Sequence, residues 1–225
     1  LSAAFDTIDH DILCNRLKDV FGCTGVVLAW FRSYLTDRTQ SVIVNNTASA
    51  PSPLRYGVPQ GSVLGPVLFT MYTQPLSSLI KTLSHSYHFF ADDSQLYDSA
   101  PPADVTTLVN DMSGSISSVA DWMRENKLKM NDDKTELIAI GTRSKLAQTP
   151  ALCMTISDHS VSFSSSVRNL GVHLDESLSM EVQVNILCRA LNFHLRRIGK
   201  IRQYLTVESA NKLAVSFILS RLDFC

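Results

Sequence analysis

Two adjacent carboxylates, Asp92 and Asp93, are the residues of this sequence with the clearest chemical potential. They lie within residues 85–97, which the apolar pattern predicts to be a strand, a tight turn and a second strand. Two like charges a few ångströms apart oppose each other's ionisation, and a divalent cation removes that cost by coordinating both. The pair therefore indicates a metal site at a hairpin tip. Acidic residues are also common in turns that bind nothing, so the dipeptide alone leaves both interpretations open.

A glycine-rich segment, GVPQGSVLGP at residues 57–66, is the second candidate. Its glycines allow the backbone to approach a flat ligand such as a base pair or a sugar, and Gln60 offers both a hydrogen-bond donor and an acceptor. The segment is not a P-loop, because no Gly-Lys-Ser/Thr follows, and it lacks the G-x-S-x-G pattern of hydrolases. It predicts either a ligand-facing loop or a structural turn before a helix.

Positively charged residues supply the third candidate. Lys134 follows a polar turn, where it could neutralise a polyphosphate, protonate a leaving group or be an ordinary surface lysine. Residues 186–225 hold seven basic and two acidic residues on an apolar pattern of helical period. Five of these cations have no acidic residue between them: Arg189, Arg196, Arg197, Lys200 and Arg202. They predict a basic helix with a phosphate-contacting face, the alternative being a solvated face over an apolar stripe.

The composition excludes several classes of protein. The chain has 225 residues, 45% hydrophobic and 18% charged, with a formal net charge of −1. Disordered tails, coiled coils and collagen-like fibres do not have these proportions. The apolar stretches fall far short of the roughly 18 residues of a membrane span. Five cysteines without C-x-x-C spacing argue against a disulfide framework or a zinc knuckle and favour a reducing compartment.

The elements that must position these residues are of mixed type. Helices are predicted from Ile8 to Gly22, over residues 26–35, after Pro66, after the Pro101-Pro102 pair and from about Val207. Strands are predicted at residues 41–46, 135–140, 152–156 and 167–174, beside the acidic hairpin. Helices and antiparallel strands out of strict alternation indicate an α+β fold, with one main core plus an appendage.

Six segments, taken in order, resemble one family: the reverse transcriptases of LINE-type, non-long-terminal-repeat retrotransposons. The matching segments are LSAAFDTIDH (1–10), WFRSYL (30–35), GVPQGSVLGP (57–66) with Phe69, FADD (90–93), NDDKTE (131–136) and VRNLGV (167–172). The resemblance implies a polymerase palm with an antiparallel sheet and packed helices over residues 1–175. It implies the start of a basic, helical thumb over residues 176–225, with the fingers missing. The sequence is thus expected to be a fragment cut at both ends.

The implied activity is RNA-directed DNA polymerisation, which transfers nucleotidyl groups from deoxynucleoside triphosphates to a primer 3′-hydroxyl on an RNA template and releases pyrophosphate. Asp92 and Asp93 match two of three aspartates that hold two Mg²⁺ ions, for which Mn²⁺ can substitute, and Leu1 could lend a backbone carbonyl. The third aspartate of the family directly precedes the segment that begins at Leu1. Asp6 matches a non-catalytic position. The isolated chain is therefore expected to be inactive, and a degenerate domain that binds nucleic acid without catalysis is the alternative.

The resemblance assigns further roles outside the metal site. Phe5 matches the aromatic residue that excludes a ribonucleotide 2′-hydroxyl, and Gln60 and Gly61 match the loop that packs on the incoming nucleotide. Lys134 matches a lysine near the triphosphate. The turn at Leu170 and Gly171 corresponds to the primer grip, and the five cations of the basic helix would follow the backbone of the DNA primer duplex. Action inside the cell, in the nucleus, is what the family implies, while the oligomeric state stays open.

Overall fold

The computed structural model describes residues 5–150, 153–156 and 159–224, and every structural statement below concerns those residues. The chain divides into two compact units. The first comprises residues 1–135 and 154–160, and the second comprises residues 136–153 and 161–225. The mixture of helices and small antiparallel sheets confirms the predicted α+β class.

The first unit opens with two helices, α1 (His10–Asp19) and α2 (Gly25–Leu35). Asp9 caps α1, because its Oδ1 accepts hydrogen bonds from the amides of Asp11 and Ile12, both at 3.0 Å. Just beyond the helix, Gly22 has a φ of +67°, a conformation that glycine adopts without steric cost. The predicted helix and its glycine stop are confirmed.

Four short strands follow α2. Strand β1 (Thr39–Gln40) pairs with β4 (Ser52–Pro53), and β2 (Ile43–Val44) pairs with β3 (Thr47–Ala48). Asn45 and Asn46 between β2 and β3 both have positive φ, which is the two-residue turn that the Asn-Asn pair predicts. The strand predicted at residues 41–46 is shorter than expected because the ladder has only two rungs.

The core of the first unit forms around α3 (Leu64–Thr82) and α4 (Val105–Glu125). Helix α3 begins two residues before the predicted proline start, and Pro66 is tolerated there because amides in the first turn have no helical acceptor. The acidic hairpin consists of β5 (Ser86–Phe90) and β6 (Asp93–Tyr97). The buried cluster includes Ile8, Leu13, Leu17, Leu35, Leu68, Phe69, Tyr72, Leu76, Ile80, Val119 and Met123.

A 3₁₀ turn, Asp132–Lys134, follows, and the strand predicted at residues 135–140 is wrong. In the described part of the chain, this stretch makes a single isolated bridge, between Leu137 and Phe163. The Leu137 carbonyl accepts from the Ser164 amide at 2.8 Å, and the Gly141 amide donates to Glu176 at 2.9 Å. Because these backbone groups meet separate partners, a continuous ladder does not form.

The remaining elements are mostly those of the second unit. They are α5 (Arg143–Leu146), β7 (Cys153–Ile156), β8 (His159–Ser162), β9 (Ser166–Asn169), β10 (Val172–Asp175), α6 (Glu181–Ile201), a 3₁₀ turn (Arg202–Tyr204), α7 (Val207–Ala214), a π-helical segment (Val215–Leu219) and α8 (Ser220–Leu222). Strands β9 and β10 form an antiparallel hairpin where one strand was predicted. The basic helix begins at Glu181, before the predicted basic region. Among the described residues, no helix is both long and apolar enough to cross a membrane.

Candidate functional site

The acidic pair lies at the tip of the β5–β6 hairpin. Phe90 pairs with Asp93 as the last rung, and Ala91 and Asp92 form the connecting turn. Ala91 has a φ of +52°, as a two-residue hairpin turn requires. Asp93 is exposed and Asp92 is partly exposed. Local strand pairing therefore brings the two adjacent carboxylates to one tip, as the sequence predicts.

One face of this hairpin is anchored in the core of the first unit. Tyr87, Phe89 and Leu96 pack against the buried cluster, while His88 and Phe90 face outward. The alternation follows from the two-residue period of a strand. The tip therefore belongs to a hairpin that is partly buried along one side.

The donor chemistry of the tip fits a hard cation in part. Carboxylate oxygens are the ligands that Mg²⁺ prefers, and Asp92 and Asp93 supply two carboxylates. Within the described ranges, no group of three or more His, Cys, Asp or Glu side chains forms a metal cluster. Leu1, the predicted carbonyl ligand, lies outside the described residues.

The glycine-rich loop packs against the segment that carries Phe5. The Val58 amide donates to the Phe5 carbonyl, and the Gly57 amide donates to the Ile8 carbonyl, both at 2.8 Å. The Phe5 ring lies 5.3 Å from the Phe69 ring, centroid to centroid. Phe5 and the glycine loop, more than 50 residues apart in sequence, therefore belong to one local structure.

Gly57 is required at this contact. Its φ is +84°, and a Cβ on it would lie 2.9 Å from both the Asp6 Cα and the Phe5 carbonyl oxygen. Its own carbonyl accepts from His10 Nε2 and from an Arg38 Nη1, each at 2.9 Å. Sequence reasoning did not identify His10 or Arg38, because neither residue type nor spacing reveals a partner so distant along the chain.

Gln60 and Gly61 form the exposed part of the same loop. Gln60 Nε2 donates to Asp6 Oδ2 at 3.4 Å, which gives Asp6 a contact with the loop. Gly61 has a φ of +76°, and the space where a Cβ would lie is open. The loop then enters α3 through Ser62, whose Oγ accepts from the Gly65 amide at 3.0 Å and donates to the Pro59 carbonyl at 2.7 Å.

Lys134 ends the 3₁₀ turn of the first unit. Its side chain is exposed, and its amide donates to the Asn131 carbonyl at 3.1 Å. The turn presents the ammonium group to solvent, where a phosphate could reach it. Among the described residues, no hydrogen bond or ion pair joins the Lys134 side chain to the glycine loop or to the hairpin, and its predicted role stays a prediction.

In the second unit, Leu170 and Gly171 form the turn of the β9–β10 hairpin, with φ of +47° and +91°. A Cβ on Gly171 would lie 3.1 Å from the Phe224 ring, so this aromatic ring covers the turn. This hairpin stands in place of the single strand predicted over residues 167–174, and its turn holds the two residues that the resemblance assigns to the primer grip.

Helix α6 gathers four of the five predicted cations along one groove. Arg189, Arg196, Arg197 and Lys200 line it together with Asn185, Cys188, Asn192 and Phe193. All four cationic side chains are exposed, and the Arg197 guanidinium lies 5.3 Å from the Phe193 ring centroid. Arg202 begins the 3₁₀ turn beyond the helix, and its Nη1 donates to the Leu205 carbonyl at 3.0 Å. The groove offers phosphates several donors at the spacing of helical turns.

Comparison with known protein families identifies the family of the chain. The profile of the family described as reverse transcriptase (RNA-dependent DNA polymerase) matches residues 1–174. The chain belongs to the reverse transcriptase family. This confirms the resemblance on which the roles of the hairpin and of the glycine loop were predicted.

Several relatives are named after mobile elements. The probable RNA-directed DNA polymerase from transposon BS of Drosophila melanogaster is 31% identical over 193 residues, covering 80% of this chain and 20% of the relative. The RNA-directed DNA polymerase from mobile element jockey of the same species is 21% identical over 220 residues, covering 96% and 23%. The Pol polyprotein from the type-1 retrotransposable element R2 of Popillia japonica is 25% identical over 151 residues, covering 63% and 23%. The predicted non-long-terminal-repeat class of reverse transcriptase is confirmed, and the chain spans about a fifth of these relatives' length.

Proposed function

We propose that the chain is the palm part of an RNA-directed DNA polymerase from a non-long-terminal-repeat retrotransposon. It would take part in transferring deoxynucleoside monophosphates from their triphosphates to a primer 3′-hydroxyl on an RNA template, with release of pyrophosphate. The observation that carries the proposal is the Asp92-Asp93 pair at the tip of a hairpin, one face of which is partly buried against the core cluster. The family match over residues 1–174 supports it.

Asp92 and Asp93 would hold Mg²⁺, and Mn²⁺ can substitute because it also binds carboxylate oxygen. Two such ions, when bound, would supply activation of the attacking hydroxyl and stabilisation of the charge on the leaving pyrophosphate. The contribution of the chain is to orient two carboxylates on a paired hairpin. The third aspartate, which the resemblance places before Leu1, would complete the set.

The glycine loop and Phe5 would shape the nucleotide site. Phe5 is held by the Val58 amide and by the Phe69 ring, so its position is determined by the loop. A ring fixed in this way can exclude the 2′-hydroxyl that distinguishes a ribonucleotide. Gln60 and Gly61 would pack on the incoming nucleotide, and Lys134 would neutralise its triphosphate.

The duplex would be contacted by the second unit. The residue 170–171 turn would act as the primer grip, and the α6 cations would bind phosphates of the template–primer backbone. We place the palm at residues 1–175 and the start of the thumb at 176–225. The two compact units divide the chain differently, because β9 and β10 group with α6.

We further propose that the 225-residue chain does not polymerise by itself, since two carboxylates cannot hold both ions in place. Its expected place of action is the nucleus. A domain that binds nucleic acid without catalysis is the second candidate, and the exposed cationic groove on α6 is the observation that favours it.

The decisive experiment measures template-primed incorporation by a longer polypeptide that contains the aspartate before Leu1. With an RNA template, a DNA primer and Mg²⁺ or Mn²⁺, incorporation is expected, and Asp92→Asn should abolish it by removing a metal ligand. Asp37→Asn is the matched control, because Asp37 is exposed in another turn and asparagine tolerates its φ of +56°. A folded longer protein without incorporation would leave nucleic-acid binding as the function. Incorporation by the 225-residue chain would overturn its proposed inactivity.

A further inference from the structure

Three polar side chains meet at the open end of the acidic hairpin. His85 directly precedes β5, Asp98 directly follows β6, and Ser115 lies in the middle of α4. His85 Nδ1 lies 3.0 Å from Asp98 Oδ2, and His85 Nε2 lies 2.9 Å from Ser115 Oγ. The His85 side chain is only 6% exposed and Ser115 is 7% exposed, so both hydrogen bonds are shielded from water on the histidine side.

These residue types also form the nucleophilic triad of hydrolases, but the setting here differs. Ser115 is buried within a 21-residue helix, so its hydroxyl is not presented to a substrate. The backbone amides around it belong to the helical hydrogen-bond pattern and cannot stabilise an oxyanion. The arrangement therefore joins elements and does not supply a nucleophile.

The His85 ring can hydrogen-bond to Asp98 and Ser115 at the same time in more than one protonation state. With the proton on Nδ1, His85 donates to the Asp98 carboxylate, and Nε2 accepts from the Ser115 hydroxyl. When the ring is doubly protonated, Nε2 donates and the hydroxyl oxygen of Ser115 accepts. The hydrogen bond from His85 also lowers the pKa of the Asp98 carboxyl, which keeps that partner ionised.

These hydrogen bonds lie at the open end of the β5–β6 ladder, where no turn joins the two strands. The ladder runs from the Ser86–Tyr97 pair to the Phe90–Asp93 pair, and a two-stranded hairpin is marginally stable by itself. His85 closes the end of the ladder opposite the acidic turn and fastens it to α4 through Ser115. Both strands are thereby held at the base while Tyr87 and Phe89 hold one face.

We propose that His85 is a positioning residue for the polymerase reaction. By clamping the base of the β5–β6 hairpin to α4, it limits the motion of the tip and holds the Asp92 and Asp93 carboxylates at a spacing that a divalent cation can use. The proposal rests on the proposed metal role of that pair. His85 touches neither the nucleotide nor the metal in this role.

The test follows two properties of the 225-residue chain: amide hydrogen exchange over residues 86–97, and Mn²⁺-induced broadening of the amide signals of residues 90–94. His85→Ala should raise exchange at the tip by about tenfold, the effect of losing a hydrogen bond to a charged group. It should also weaken Mn²⁺ broadening, while exchange in α1 stays unchanged. His88→Ala is the matched control, because His88 lies on the same strand with an exposed side chain.

Two conservative variants separate positioning from general stability. Ser115→Ala removes only the link to α4 and should loosen the tip even if His85→Ala fails to fold. Asp98→Asn retains a hydrogen-bond acceptor for Nδ1 and should preserve most of the wild-type exchange and broadening. Unchanged tip exchange in folded Ser115→Ala, or a looser tip with undiminished Mn²⁺ broadening, would overturn the proposal. If the wild-type 225-residue chain shows no broadening, the comparison is repeated in the longer polypeptide that contains the aspartate before Leu1. Absent broadening there as well would show that the pair binds no metal, whereas unchanged tip exchange in the folded variants would show that His85 does not hold the tip.

Discussion

At the residue scale, the candidate site depends on a few positions that do not tolerate another residue type. Gly57 is the clearest, because its two backbone hydrogen-bonding groups and its missing side chain are all used in one contact. Its amide meets Ile8, its carbonyl meets His10 and Arg38, and its Cα faces the Phe5–Asp6 backbone. The neighbouring loop glycine, Gly61, has a similar positive φ, but no atom lies where its Cβ would be. A side chain at Gly61 would meet only backbone strain, whereas one at Gly57 would meet both backbone strain and steric crowding.

Gly57→Ala is therefore expected to lower the free energy of unfolding by about 2 kcal/mol or more, because backbone atoms block the new methyl group. Gly61→Ala should cost only about 1 kcal/mol, the penalty for a left-handed alanine. Urea unfolding of both variants measures the difference. Equal losses would show that the crowding around Gly57 relaxes freely.

At the element scale, short local connections determine how the functional segments are presented. The β5–β6 turn presents Asp92 and Asp93, and the loop between β10 and α6 sets the start of the basic helix. In that loop, the Asp175 carboxylate accepts from the amides of Ser177, Ser179 and Met180 and from both serine hydroxyls, at 2.8–3.1 Å. A single buried side chain thus ties β10 to the entry of α6.

These hydrogen bonds, led by the one from the Ser179 amide, hold the pKa of Asp175 well below its ordinary value. A depressed folded-state pKa stabilises the fold at pH values above the unfolded pKa of about 4 and loses that effect as the pH falls below it. Asp175→Asn should be less stable than the wild type at neutral pH, and the gap should narrow as the solution is acidified. Thermal unfolding of both proteins across pH tests this, and a gap that widens in acid would contradict it.

At the scale of the whole molecule, charge is distributed unevenly. The formal net charge is −1, yet residues 186–225 carry seven basic and two acidic residues. The α6 groove concentrates four of these cations, whereas Lys212 on α7 pairs with Glu208 at 2.7 Å. A nearly neutral chain can therefore attract a polyanion along one helix.

Replacing Arg196 and Arg197 with glutamine should weaken binding to a template–primer duplex and reduce the salt slope of log K by about 2, close to one per lost phosphate contact. Anisotropy titrations at several salt concentrations measure the slope. Lys212→Gln, which removes an ion-paired cation, should leave it nearly unchanged. A double variant with the wild-type slope would exclude the α6 groove as the phosphate-binding face.

The sequence by itself determined the features that depend on neighbouring residues. The Asn45-Asn46 turn, the α1 stop at Gly22 and the hairpin tip at Asp92 are encoded within a few positions, because turn and cap energies are local. The family was also readable, since its segments retain their order.

Only the tertiary structure decided which distant segments meet. The contact of Gly57 with Phe5, the clamp from His85 to Ser115 and the cover of Phe224 over Gly171 join residues whose separation carries no periodic signal. For the same reason the strand predicted at residues 135–140 was wrong: its apolar pattern suits a strand, but a ladder forms only where a second strand lies alongside.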